Sequence, residues 1–138
     1  MKIDGKRIVV TGAASGIGRA LAHAFNDNGA SKVVCADLNF EEAQNTADSF
    51  KGLAIKCNVG DENEIQSLVK ESTDWMGGID IFCSNAGIMG EVGLLETSSE
   101  KWQSIWEINV MAHVYAAKAV LPQMLERGEG YLMNTASA

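Results

Sequence analysis

Positive charge is scarce in this 138-residue sequence: 11 Lys and Arg stand against 18 Asp and Glu, a formal net charge of −7. Phosphate backbones and anionic bilayers call for a cationic face, so nucleic acid and membrane are not expected partners. Proline occurs once, at Pro122, which excludes proline-rich linkers. No apolar run is long enough to span a bilayer. The charged start Met1–Arg7 is followed only by Ile8-Val9-Val10 before glycines, too short for the core of a signal peptide. Cysteine is limited to Cys35, Cys57 and Cys83, each inside an apolar run. They form no metal-ligand spacing and no even framework, so no metal is expected. They read as small buried hydrophobes of a reducing, cytoplasmic compartment.

What is present is globular. Hydrophobic residues make up 46% and charged residues 21%, and the length fits one domain with a real core. Short apolar runs alternate with helical patterns. Strands are expected at Arg7–Thr11, Lys32–Ala36, Leu53–Cys57, Ile79–Cys83 and Tyr131–Asn134. A helix follows the first loop and stops near Asn28-Gly29. A second is expected from Phe40 to Phe50, with Glu41 and Glu42 in its first turn. Asp61 caps a third, with Glu64 completing a near capping box, and Gly77-Gly78 ends it. A long helix is expected from about Ser99 to Arg127, stopped by Gly128. This order points to an α/β fold, a doubly wound parallel sheet covered on both faces. The sequence stops just after the fifth strand, so it reads as the front part of something longer.

Thr11-Gly12-Ala13-Ala14-Ser15-Gly16-Ile17-Gly18 joins the first strand to the first helix. Gly12 would permit the sharp turn off the strand, Gly16 close approach of a pyrophosphate, and Gly18 tight helix–sheet packing. Free N–H groups at the helix start then attract the diphosphate. A flexible turn is the plain alternative, but the strand–loop–helix setting is the one dinucleotide binding requires. Asp37 follows the second strand, where a carboxylate can accept from both hydroxyls of the adenosine ribose and repel a 2′-phosphate. The alternative for Asp37 is a solvated turn acid. Position 15 is Ser and position 38 is Leu, so neither supplies a cation for that phosphate. NAD is therefore expected over NADP.

These residues resemble the short-chain dehydrogenase/reductase family, whose loop reads Thr-Gly-x-x-x-Gly-x-Gly. Positions 11 to 18 match it in full, and Ser84-Asn85-Ala86-Gly87 is similar to the family's Asn-Asn-Ala-Gly with the first Asn replaced. The resemblance implies a Rossmann fold over residues 1–138, the N-terminal portion of an NAD(P)-binding domain. It implies a cofactor-facing set of Gly12, Ser15, Gly16, Ile17, Gly18, Asp37 and Leu38. Asn58 and Val59 would meet the adenine, with Asn58 where the family usually has Asp. Asn85, Ala86 and Gly87 would brace the sheet and line the cofactor channel.

Asn109 lies within the apolar stripe of the long helix, between Ile105, Ile108, Ala112 and Ala116. An amide there must find partners. It reads either as a satisfied core amide or, by the resemblance, as the family's catalytic Asn, which holds a proton-relay water. His113 reads as a packed or bonded core histidine. The helix carries a wider apolar arc than one sheet contact needs, and the resemblance implies a dimer or tetramer through it. Ser137 resembles the family's catalytic Ser, which orients the substrate oxygen. The family's Tyr-x-x-x-Lys is missing: Tyr115 is followed at four by Ala119, and Tyr131 by Thr135. The expected activity is hydride transfer between NAD(H) and an alcohol or ketone carbon, with this chain alone inactive. The rivals are a dinucleotide-binding module without catalysis and a methyltransferase, whose sheet order, glycine loop and acidic strand end are similar but which does not account for Asn85-Ala86-Gly87 and Asn109 together.

Overall fold

A computed structural model describes residues 2–90 and 93–136. Five strands form one sheet: β1 (Arg7–Thr11), β2 (Lys32–Asp37), β3 (Leu53–Lys56), β4 (Ile81–Ser84) and β5 (Tyr131–Asn134). Their order is β3-β2-β1-β4-β5, and every pairing is parallel. Parallel strands need crossovers, and helices α1 (Gly16–Asp27), α2 (Phe40–Asp48) and α3 (Glu62–Met76) supply the first three. Helices α4 (Ser99–Trp106) and α5 (Ala112–Arg127) lie between β4 and β5.

Strands β1, β2 and β4 are buried at successive positions because both faces are covered there, whereas β5 is only part-buried. Side chains alternate between two cores. Val9, Val34 and Phe82 pack with Ile65, Leu68, Ala116 and Val120 from α3 and α5. Ile8, Val10, Val33, Cys35, Ile81 and Cys83 pack with Ala22, Phe25, Ala43 and Ala47 from α1 and α2. This is a doubly wound, Rossmann-type sheet. All three cysteines are free and buried, and burial pushes each thiol up to about 12.

Several expected boundaries move for local reasons. The second helix ends at Asp48 rather than Phe50, because the chain tightens: Phe50 and Gly52 both donate to the Ala47 carbonyl. The third strand is one residue shorter than expected. Ile79 stands ahead of β4 because side chains take its backbone bonding: its N–H donates to Gln123 Oε1 and its carbonyl accepts from Arg127 Nη2. The near capping box does not close. Asp61 accepts from the N–H groups of Asn63 and Glu64, but the Glu64 carboxylate turns to the Asn58 N–H at 2.6 Å.

The long helix is continuous from Ser99 to Arg127 but carries a π turn at Glu107–Met111, where the Ala112 N–H reaches back to the Glu107 carbonyl. Pro122 lies within α5. At the opposite end of the sheet from the β-strand C-termini, Arg7 grips Asp80 through Nε and Nη2 at 2.9 and 2.7 Å. Arg127 lies 3.6 Å from the same carboxylate. Among the described residues, no helix is long and apolar enough to cross a membrane, and no group of three or more His, Cys, Asp or Glu could hold a metal ion.

Candidate cofactor site

The sheet order reverses at β1 and β4, and crevices of doubly wound sheets form at such points beyond the strand C-termini. A cleft of about 580 Å³ lies there. It is lined by all twelve residues expected to face a cofactor: Gly12, Ser15, Gly16, Ile17 and Gly18 of the first loop, Asp37 and Leu38 after β2, Asn58 and Val59 after β3, and Asn85, Ala86 and Gly87 after β4. Cys57, Ile88, Ile108 and Thr135 also line it, and the sequence reading had not assigned them to a site. Ser137 lies outside the described residues.

The loop conformation follows from contacts that exclude side chains. Gly12 has φ +71°, and a Cβ there would stand 2.9 Å from the Ala86 Cα. A Cβ on Gly18 would stand 2.0 Å from the Gly12 carbonyl oxygen, so the helix can meet the strand this closely only with glycine. Gly16 is different: its φ is +51°, and a Cβ would meet nothing within 4 Å. That side of the loop is open.

Helix α1 begins at this opening. Ser15 occupies its N-cap but makes no side-chain cap bond, and no acid stands in the first turn. By contrast, Asn39, Asp61 and Ser98 cap α2, α3 and α4, each with an acid in the first turn. Uncapped first-turn N–H groups and the positive end of the dipole suit an anion. A diphosphate therefore fits the residues present.

Thr11 and Asn85 brace the cleft floor. Thr11 is 1% exposed, and its hydroxyl accepts the backbone N–H groups of Asn85 and Ala86 at 3.0 and 3.2 Å. Asn85 Nδ2 donates to the Thr11 carbonyl at 3.2 Å, and Asn85 Oδ1 accepts the Thr135 hydroxyl at 2.9 Å. Three strand ends, β1, β4 and β5, are thus tied by one amide. Next to it, Ser84 Oγ lies 2.7 Å from His113 Nδ1, so His113 is bonded as expected.

Asp37 accepts the Ala14 N–H on Oδ2 and the Asn39 N–H on Oδ1, both at 3.0 Å. Each oxygen keeps lone-pair capacity. The fold adds a cation that positions 15 and 38 could not reveal. Arg19 Nη2 donates to the Ala14 carbonyl and to Glu42 Oε2, the latter at 2.6 Å. Asn58 Oδ1, offered in the sequence reading to an adenine amino group, already accepts the Gly60 N–H at 3.1 Å and retains one lone pair. Asn109 is a satisfied amide: Oδ1 accepts the Ile88 N–H and Nδ2 donates to the Ile88 carbonyl, both at 2.8 Å. It sits within the π turn and stands 3.4 Å from a Cβ built on Gly87.

Residues 6–138 match the family model described as short chain dehydrogenase. The chain is 38% identical to an uncharacterized oxidoreductase of Staphylococcus aureus (strain USA300), covering 96% of this chain and 58% of the relative. It is 39% identical to 1-deoxy-11-beta-hydroxypentalenate dehydrogenase of Streptomyces exfoliatus, covering 99% of this chain and 52% of that protein. A crystal structure of a short chain dehydrogenase/reductase from Burkholderia phymatum in complex with NAD superposes with a TM-score of 0.94 at 29% identity. That match covers 99% of this chain and 50% of the other. The chain thus spans about half the length of the relatives it matches.

Proposed function

The chain belongs to the short chain dehydrogenase family, and from that premise we propose that its cleft binds NAD(H). Residues 1–138 act in this reading as one dinucleotide-binding domain. The activity proposed for the whole protein is hydride transfer between NAD(H) and an alcohol or ketone carbon. The observation that carries the reading is the start of α1: uncapped, free of acids in its first turn, and open where a Gly16 Cβ would stand.

When bound, the nicotinamide ring gives or takes the hydride, and the protein supplies binding, orientation and proton transfer. Gly16, Ile17 and Gly18 present backbone to the diphosphate. Asp37 accepts from the adenosine ribose hydroxyls and disfavours a 2′-phosphate, which gives NAD over NADP. Asn58 and Val59 border the adenine, and Asn85, Ala86 and Gly87 form the inner wall. Ser137 orients the substrate oxygen. Asn109 supports the proton relay, since one N–H and one lone pair of its amide remain beyond the Ile88 bonds. The free, buried thiols support a reducing, cytoplasmic setting.

The exposed apolar face of the long helix supports a homodimer or homotetramer. Trp102, Trp106, Val110 and Val114 follow one another at intervals of four, and Leu121 and Leu125 continue on α5. A binding role without turnover is the second reading for these 138 residues. It is favoured by the two tyrosines, Tyr115 and Tyr131, neither of which lines the cleft.

Fluorescence titration with NADH and NADPH tests the proposal. Saturable binding with tighter NADH is expected. Equal or tighter NADPH contradicts the NAD preference, and no binding of either contradicts the cofactor reading. Pure 138-residue chain is expected to bind without sustained reduction of NAD by secondary alcohols.

A further inference from the structure

At the Asp37 end of the cleft, five residues close a ring of polar links. Asp37 Oδ1 accepts the Asn39 N–H, and Asn39 Oδ1 accepts the Glu42 N–H. Glu42 Oε2 accepts Arg19 Nη2, which also donates to the Ala14 carbonyl. The Ala14 N–H returns to Asp37 Oδ2. A single residue, Ala14, therefore separates the guanidinium from the Asp37 carboxylate.

The ring contains two carboxylates and one guanidinium, so its net charge is negative. The Arg19–Glu42 pair adds little to folding, because the two side chains are 41% and 46% exposed and screened by water. Its consequence is positional. Glu42 engages a cation that lies one residue from Asp37 in this ring and draws it to α2. Arg19 Nε is buried without a hydrogen-bond partner among the described residues, so one donor of the guanidinium is unspent in this arrangement. An arginine fork released beside Asp37 would suit a phosphate on the ribose.

We infer that Glu42 is a specificity-determining residue: by engaging Arg19 it withholds from the ribose end of the cleft a cation that could hold a 2′-phosphate. This deepens the proposed NAD preference and rests on the NAD(H)-binding reading. Asp37 repels the phosphate directly, and Glu42 denies it a ligand. Position 42 acts through Arg19 and need not touch the cofactor.

Calorimetric titration of the 138-residue chain with NADH and NADPH separately tests the inference. E42Q removes one carboxylate from the ring and leaves the guanidinium with neutral acceptors only, the amide oxygen and the Ala14 carbonyl. Its NADPH affinity is expected to rise about tenfold, the size of one charge-assisted bond, while NADH affinity changes about twofold or less. The double variant R19M/E42Q is expected to lose the gain, which a merely structural role of Glu42 would not produce. Circular dichroism checks the fold, and E42A repeats the test should E42Q lose it. Unchanged NADPH affinity in the folded variants, or an equal gain for both dinucleotides, overturns the inference and leaves the cofactor reading standing. Failure of the unmodified chain to bind NADH at all overturns that reading and the inference with it.

Discussion

Asn109 holds Ile88 at both ends of its backbone, accepting its N–H and donating to its carbonyl at 2.8 Å each. This two-point clamp fastens the segment after β4 to the π turn between α4 and α5. Removing it leaves a part-buried N–H and carbonyl without partners, at a cost of about 1–3 kcal/mol. Urea denaturation of N109A should show a loss of that size, whereas Q103A, on an exposed helix position, should change little. A neutral N109A would mean that water replaces the clamp and that Asn109 has no part in holding the loop.

The glycine loop separates cost in folding from cost in binding. Gly18→Ala places a Cβ 2.0 Å from backbone oxygen, so strand and helix must part. The expected loss is roughly 3 kcal/mol, visible as a large drop in Tm. Gly16→Ala meets open space, and its positive φ costs about 1 kcal/mol. Its main effect should be on dinucleotide affinity, because the new methyl enters the cleft. The reverse ranking, with Gly16→Ala the worse folder, would contradict this geometry.

Acid stability should depend on Asp80. Hydrogen bonds from Arg7 hold its carboxyl down at about 2, and the side chain is 12% exposed. Its folded pKa lies below the unfolded one, so ionised Asp80 adds stability above an unfolded value of about 3.9. That contribution is lost as pH falls through the folded value. It is on the order of 2 kcal/mol. Thermal melts between pH 5 and 2 (about the window of the two pKa values) should show the protein losing more stability than D80N, which starts lower. Parallel curves would remove Asp80 from the account.

The loop from Thr11 to Gly18, β5 and the Asp61 cap of α3 were legible because each depends on neighbours in sequence. The apolar period of strands and helices also separated the layers. Three features were not legible because they depend on distant segments or on spacing that the pattern tolerates. Arg19 and Glu42 meet only when α1 and α2 lie side by side. Glu64 leaves Asp61 because the end of β3 brings the Asn58 N–H within 2.6 Å. The π turn at Glu107–Met111 hides inside a continuous apolar stripe, since a stripe as wide as this one survives a one-residue offset.

The face carrying Trp102, Trp106, Val110 and Val114 should make the chain associate. Trp106 alone is 54% exposed, and covering several hundred Å² of such surface is worth several kcal/mol at about 25 cal/mol per Å². Light-scattering chromatography should give a dimer or larger species. A double W106E/V114E variant should shift it toward monomer. A monomer in both cases would contradict the proposed assembly face.

The central claim is that the cleft at the C-terminal ends of β1, β2 and β4 receives the dinucleotide. Amide NMR of the isotope-labelled chain during NADH titration tests it residue by residue. Saturable shifts are predicted at Ser15–Gly18, Asp37–Leu38, Asn58–Val59 and Asn85–Gly87, with the Arg7–Asp80–Arg127 cluster at the other end of the sheet unmoved. Shifts centred elsewhere, or none at saturating NADH, would contradict the account.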